Sequence, residues 1–90
     1  MAMAGKGLVK LLEECGELGQ IAAKKLAYFD TDVHPDGKGS MQVRLQEEMG
    51  DVLAIIDFVQ EIWKLDTVAI EARRRRKREL FHTWHLDKTK

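Results

Sequence analysis

Apolar residues recur at helical spacing over residues 7–29 (GLVKLLEECGELGQIAAKKLAYF), where Leu8, Leu11, Leu12, Cys15, Ala22, Leu26 and Phe29 gather on one side. The pattern stops at Asp30–Ser40 (DTDVHPDGKGS), whose Asp, Pro, Gly and Ser residues form turns and loops. Ser40 stands where an N-cap belongs, and a second amphipathic stretch follows over 41–65. There Leu45, Met49, Val52, Ile55, Ile56, Val59, Ile62 and Trp63 share a broad apolar face. Asp66-Thr67 interrupts this run, and either residue is suited to cap a third helix. That helix is expected over 68–84, with a polar tail that frays after Leu86. No strand-type alternation occurs. The expected fold is all-α: an antiparallel hairpin of the first two helices plus a third.

Length adds an assembly to this picture. Ninety residues make a single domain spanning 1–90. A chain this short buries only about 60–65% of its unfolded surface. The bundle is therefore expected to be completed by homo-oligomerisation, as a dimer or tetramer. Lys and Arg number 15, as do Asp and Glu, so the net charge is zero and no global field draws the chain to nucleic acid or membrane. Cys15 is the only cysteine, which excludes an internal disulfide and a thiolate zinc site. No apolar run reaches the roughly 18 residues of a membrane span, and Met1-Ala2-Met3-Ala4-Gly5-Lys6 leads into no signal-peptide core. A cytoplasmic location is the expectation.

The chemistry sits in two matching blocks. Glu13-Glu14-Cys15-Gly16-Glu17-Leu18 and Glu47-Glu48-Met49-Gly50-Asp51-Val52 both read Glu-Glu-x-Gly-acid-apolar, one on each helix of the hairpin. Positions three apart share a helix face, so Glu14 points with Glu17, and Glu48 with Asp51. Large apolar residues flank both pairs: Leu18 and Ile21 on the first helix; Leu45, Val52, Ile55 and Val59 on the second. Unpaired carboxylates on a core face cost several kcal/mol each, roughly. Four that converge demand a cation. An all-oxygen set suits magnesium or manganese over zinc or copper, and magnesium in such a site shares its shell with water and phosphate oxygens. A mid-helix glycine costs about 1 kcal/mol against alanine, so Gly16 and Gly50 suggest backbones that approach closely beside the metal.

With these motifs the chain resembles the all-helical nucleotide pyrophosphohydrolases, and among them the small MazG-like proteins of phages and bacteria. Their signature, E-E-x-x-E on one helix and E-x-x-D on the next, is met by Glu13-Glu14-Cys15-Gly16-Glu17 and Glu48-Met49-Gly50-Asp51. The resemblance covers residues 8 to about 60, and the loop 30–40 is longer than the family usually carries. It implies that Glu14, Glu17, Glu48 and Asp51 ligate magnesium. It also implies hydrolysis of nucleoside or deoxynucleoside triphosphates between the α and β phosphates, giving monophosphate and pyrophosphate, in a dimer or tetramer.

On this mechanism the metal activates water for in-line attack. Glu13 and Glu47, turned about 100° from the ligands, are candidates to orient it, or else solvated acids. Lys24, two turns beyond Glu17, is a candidate for the phosphates and Tyr28, one turn further, for the base. From the basic run Arg73–Arg78, Lys77 and Arg78 are the candidates to reach the polyphosphate from a neighbouring subunit. The competing readings are a helical interaction module and a nucleic-acid-binding module using the run 73–78. Zero net charge and the lack of base-reading aromatics argue against the second.

Overall fold

The computed structural model describes residues 5–29, 31–34 and 36–89, with backbone alone over 86–89. Three helices follow one another: α1 (Leu8–Ala27), α2 (Met41–Trp63) and α3 (Thr67–Thr89). Helix α2 starts at Ser40, whose Oγ accepts the Val43 N–H at 3.3 Å. Helix α3 starts at Asp66, whose Oδ1 accepts the N–H groups of Val68 and Ala69, both at 3.0 Å. Both caps follow the expected chemistry, one orphan donor set satisfied by a short polar side chain. Helix α3 runs further than the expected 68–84, its backbone helical to Thr89. The N-terminal stretch 1–4 and two of the expected turn formers, Asp30 and Pro35, lie outside the described residues.

α1 and α2 form the expected antiparallel hairpin. Its open end is tied where the Trp63 indole N–H donates to the Lys6 carbonyl at 2.9 Å. Gly7, at φ 75°, lets α1 begin directly against α2. A Cβ at this position would stand 2.9 Å from Val59 Cγ2. Between the helices Ile21, Met41, Ile55 and Val59 are buried.

The connecting segment is tightly organised. Val33 and Ser40 form an isolated antiparallel bridge, with the His34 N–H on the Gly39 carbonyl at 3.0 Å and the Gly37 N–H on the His34 carbonyl at 2.8 Å. Asp32 closes the base, accepting from the Ser40 hydroxyl and, at 3.1 Å, from the Gln42 N–H. This fold-back sets His34, 6% exposed, against the hairpin.

The apolar stripe expected on α1 divides in two. Leu11, Glu14, Leu18 and Ile21 face α2, whereas Leu12, Leu26 and Phe29 are 75%, 78% and 84% exposed. Leu12 and Leu26 stand roughly 120° around the helix from the inward set, and Phe29 lies beyond the helix end at Ala27. Helix α3 makes no extended packing contact with α1 or α2 among the described residues. The radius of gyration is 16.1 Å, against about 12 Å for a compact chain of this length.

A candidate metal centre between the helices

The antiparallel register brings the two acidic pairs face to face. Glu14 shares its surroundings with Asp51, and Glu17 with Glu48. One carboxylate oxygen from each of Glu14, Glu17, Glu48 and Asp51 can be chosen so that all four lie within 4.8 Å of one another. Glu14 and Glu48 are half-buried, and Glu17 and Asp51 are exposed. Oε2 of Glu14 and Oε2 of Glu48 are both shut off from water with no hydrogen-bond donor among the described residues. Burial, followed by the charges of Glu17 and Asp51, holds both glutamates above the ordinary carboxylate range. A cation between the carboxylates would relieve both, as would a proton held on one of them.

The donor set fits a small hard divalent ion. Ligands on opposite sides of magnesium stand about 4.2 Å apart at its usual bond length of ~2.1 Å. The observed limit of 4.8 Å leaves little adjustment to make around one ion.

The glycines do not have the role expected of them. A Cβ at Gly16 or at Gly50 would meet nothing within 4 Å. The reason is angular: two residues beyond a ligand is about 200° around the helix, so both glycines point away from the partner helix. The close approach within the hairpin is made at Gly7.

A cavity of about 310 Å³ adjoins the acids on the loop side, lined by Glu17, Gln20, Ile21, Lys24, His34, Arg44 and Glu48. Lys24 therefore stands where the sequence put it, on the stripe of Glu17 and beside the cluster. Arg44 and His34 were not anticipated. Arg44 is one helical turn before Glu48 on the same face, a signal present in the sequence. His34 is brought in by the fold-back of its loop, which residue spacing does not reveal. Tyr28 lies at the C-cap of α1, exposed, and is not among the residues lining this cavity. Glu13 is exposed and paired to Lys10 at 2.8 Å, and Glu47 is exposed. Lys77 and Arg78 stand on α3, away from the acids of their own chain, and Arg78 lines a separate surface hollow with Arg74, Arg75, Glu79 and His82.

Comparison of the chain with family models, with curated proteins and with solved structures finds no match in any of the three. No helix among the described residues is long and apolar enough to cross a membrane.

Proposed function

We propose that this chain is a magnesium- or manganese-dependent nucleotide pyrophosphohydrolase that converts a nucleoside or deoxynucleoside triphosphate to its monophosphate and pyrophosphate. The observation that carries the reading is the convergence of Glu14, Glu17, Glu48 and Asp51, with a stripped, unpartnered oxygen on Glu14 and another on Glu48. The resemblance of the two motifs to the MazG-like signature supplies the reaction. The metal, once bound, supplies charge neutralisation at phosphate oxygens and a lowered pKa for water.

The protein's part is placement. The four carboxylates would hold the ion between α1 and α2, with the Oε2 atoms of Glu14 and Glu48 on the side closed to water. Lys24 meets the phosphate chain in the adjoining cavity. Phosphoryl transfer asks little more of a protein than alignment and charge stabilisation. Glu13 and Glu47, exposed on the outer faces, are assigned no step.

The proposed working form is a homo-oligomer. The chain exposes 7357 Å², against about 5,400 Å² for a folded monomer of its mass. The excess, about 2,000 Å² per chain, is of the order that an extensive, obligate dimer interface removes. Lys77 or Arg78 of one copy would then be free to approach the acids of another.

The deciding experiment is pyrophosphate release from a panel of nucleoside and deoxynucleoside triphosphates, with magnesium and with EDTA. Magnesium-dependent release is expected, with Glu48→Ala folded and inactive. Silence across the panel from folded protein, or full activity in Glu48→Ala, would overturn the reading.

A further inference from the structure

The cavity beside the acids has a composition that the metal site does not require. Lys24 and Arg44 supply two cations to its wall, and Glu17 and Glu48 two anions. Lys24 makes no ion pair among the described residues, whereas its neighbour Lys25 is taken up by Asp32 at 3.9 Å. Arg44 Nη2 donates to Asp36 Oδ2 at 2.9 Å and to the Lys38 carbonyl at 3.3 Å. That contact ties the arginine to the loop and leaves the other guanidinium donors to the cavity. The third basic side chain is His34, buried but lining the same space. Its Nδ1 accepts the Asp36 backbone N–H at 3.1 Å, with the Asp36 carboxylate 3.0 Å away, so Nε2 is the nitrogen left for a ligand.

We propose that this cavity is a diphosphate subsite, walled by Lys24, His34 and Arg44, that accepts its anion only after a divalent cation has occupied the carboxylates. The proposal deepens the reading above, since the diphosphate is the β,γ portion of the substrate or the free product. Charge decides the order. Without a metal the four clustered carboxylates outnumber Lys24 and Arg44, for a net charge of about −2, and an incoming polyanion is repelled. One divalent ion brings this to about neutral and presents its own charge to the phosphates, in a partly enclosed space where Coulomb attraction is stronger than in bulk water. Arg44 is the residue suited to the distal phosphate, because its planar fork binds phosphate oxygens in pairs. To engage both edges it must exchange Asp36 for phosphate, so Asp36 is a competitor held in place by the loop.

This competition separates a binding role for Arg44 from a merely structural one. Titration calorimetry with inorganic pyrophosphate, on whole protein in magnesium, is expected to show binding that EDTA abolishes. Arg44→Gln is expected to weaken pyrophosphate at least 10-fold while leaving magnesium affinity within 2-fold, roughly the loss of one charge-assisted contact. Asp36→Asn keeps the Oδ1 that accepts the Lys38 N–H at 2.8 Å but releases the arginine, and is expected to bind pyrophosphate more tightly. If Arg44 served only to pin the loop, both variants would weaken binding alike, and that outcome overturns the proposal. Unaltered pyrophosphate affinity in folded Arg44→Gln overturns it too.

A non-hydrolysable α,β-methylene triphosphate distinguishes the two sources of the diphosphate. It should share the Arg44→Gln loss, whereas a nucleoside monophosphate should not. The two readings fail separately. Metal-gated pyrophosphate binding without turnover of any triphosphate keeps the subsite and removes the enzyme. Turnover with no effect of Arg44→Gln on pyrophosphate does the reverse.

Discussion

Glu14 and Glu48 stand on facing helices, each with its Oε2 withdrawn from water and without a donor. An isolated hairpin would gain by replacing either one, yet both occupy equivalent places in matching sequence blocks. The pair is thus a built-in instability that a bound cation would remove.

A thermal melt should register this directly. Magnesium at about 100 times its dissociation constant should stabilise the protein by about 2.7 kcal/mol, which for a small domain is a rise in melting temperature on the order of 10 °C. Glu48→Gln should melt higher than wild type in EDTA, because one charge leaves the cluster, and should gain little from magnesium. An equal magnesium-induced rise in wild type and Glu48→Gln would place the ion elsewhere.

The glycines give a prediction of opposite signs. Gly7→Ala places a Cβ 2.9 Å from Val59 Cγ2 at a φ of 75°. Left-handed backbone at a residue with a Cβ costs about 1–2 kcal/mol before any clash, so a loss of about 2–3 kcal/mol is expected by urea denaturation. Gly50→Ala meets open space in mid-helix and should stabilise by about 0.5–1 kcal/mol. A clear destabilisation by Gly50→Ala would put a second chain against that glycine.

What could be read from the sequence was whatever depends on angular spacing within one helix. Three-residue spacing placed Glu14 with Glu17 and Glu48 with Asp51, and cap chemistry placed Ser40 and Asp66. The division of the α1 stripe was hidden because Leu11 and Leu12, adjacent in sequence, go to different faces: Leu11 is half-buried and Leu12 exposed. Spacing alone does not say which of two neighbouring apolar stripes meets the partner helix. His34 was hidden for another reason. Its burial follows from the bridge between Val33 and Ser40 and from the Gly39 carbonyl, contacts set by loop geometry and not by periodicity.

Asp36 should leave a signature in acid. The Lys38 N–H, followed by the Arg44 guanidinium, lowers its carboxyl to about 2 from an ordinary value of 3.8. A depressed acid contributes stability that is present above the unfolded value and is lost as pH falls through the folded one. Asp36→Asn cannot titrate, so the stability difference between wild type and variant should shrink as pH drops from 4 toward 2. Urea melts at half-unit intervals across that window would test it. A constant difference would mean that Asp36 is not held by these partners in solution.

The last prediction concerns assembly. Leu12 and Leu26 on α1, and Phe29 just beyond its end, are uncovered, and on α3 Phe81 and Trp84, rings 5.4 Å apart, are about half exposed. Exposed apolar side chains that gather into a patch mark interaction sites, and α3 makes no extended packing contact with α1 or α2 among the described residues. Sedimentation equilibrium should therefore return at least twice the chain mass of 10.3 kDa. Leu12→Glu sets a charge on this face of α1 without touching the hairpin core, since Leu12 is 75% exposed. It should lower the mass toward that of one chain while helix content is retained. If it leaves the mass unchanged, this face is not the interface. A single-chain mass for wild type would mean that the uncovered faces of α1 and α3 await something other than a second copy.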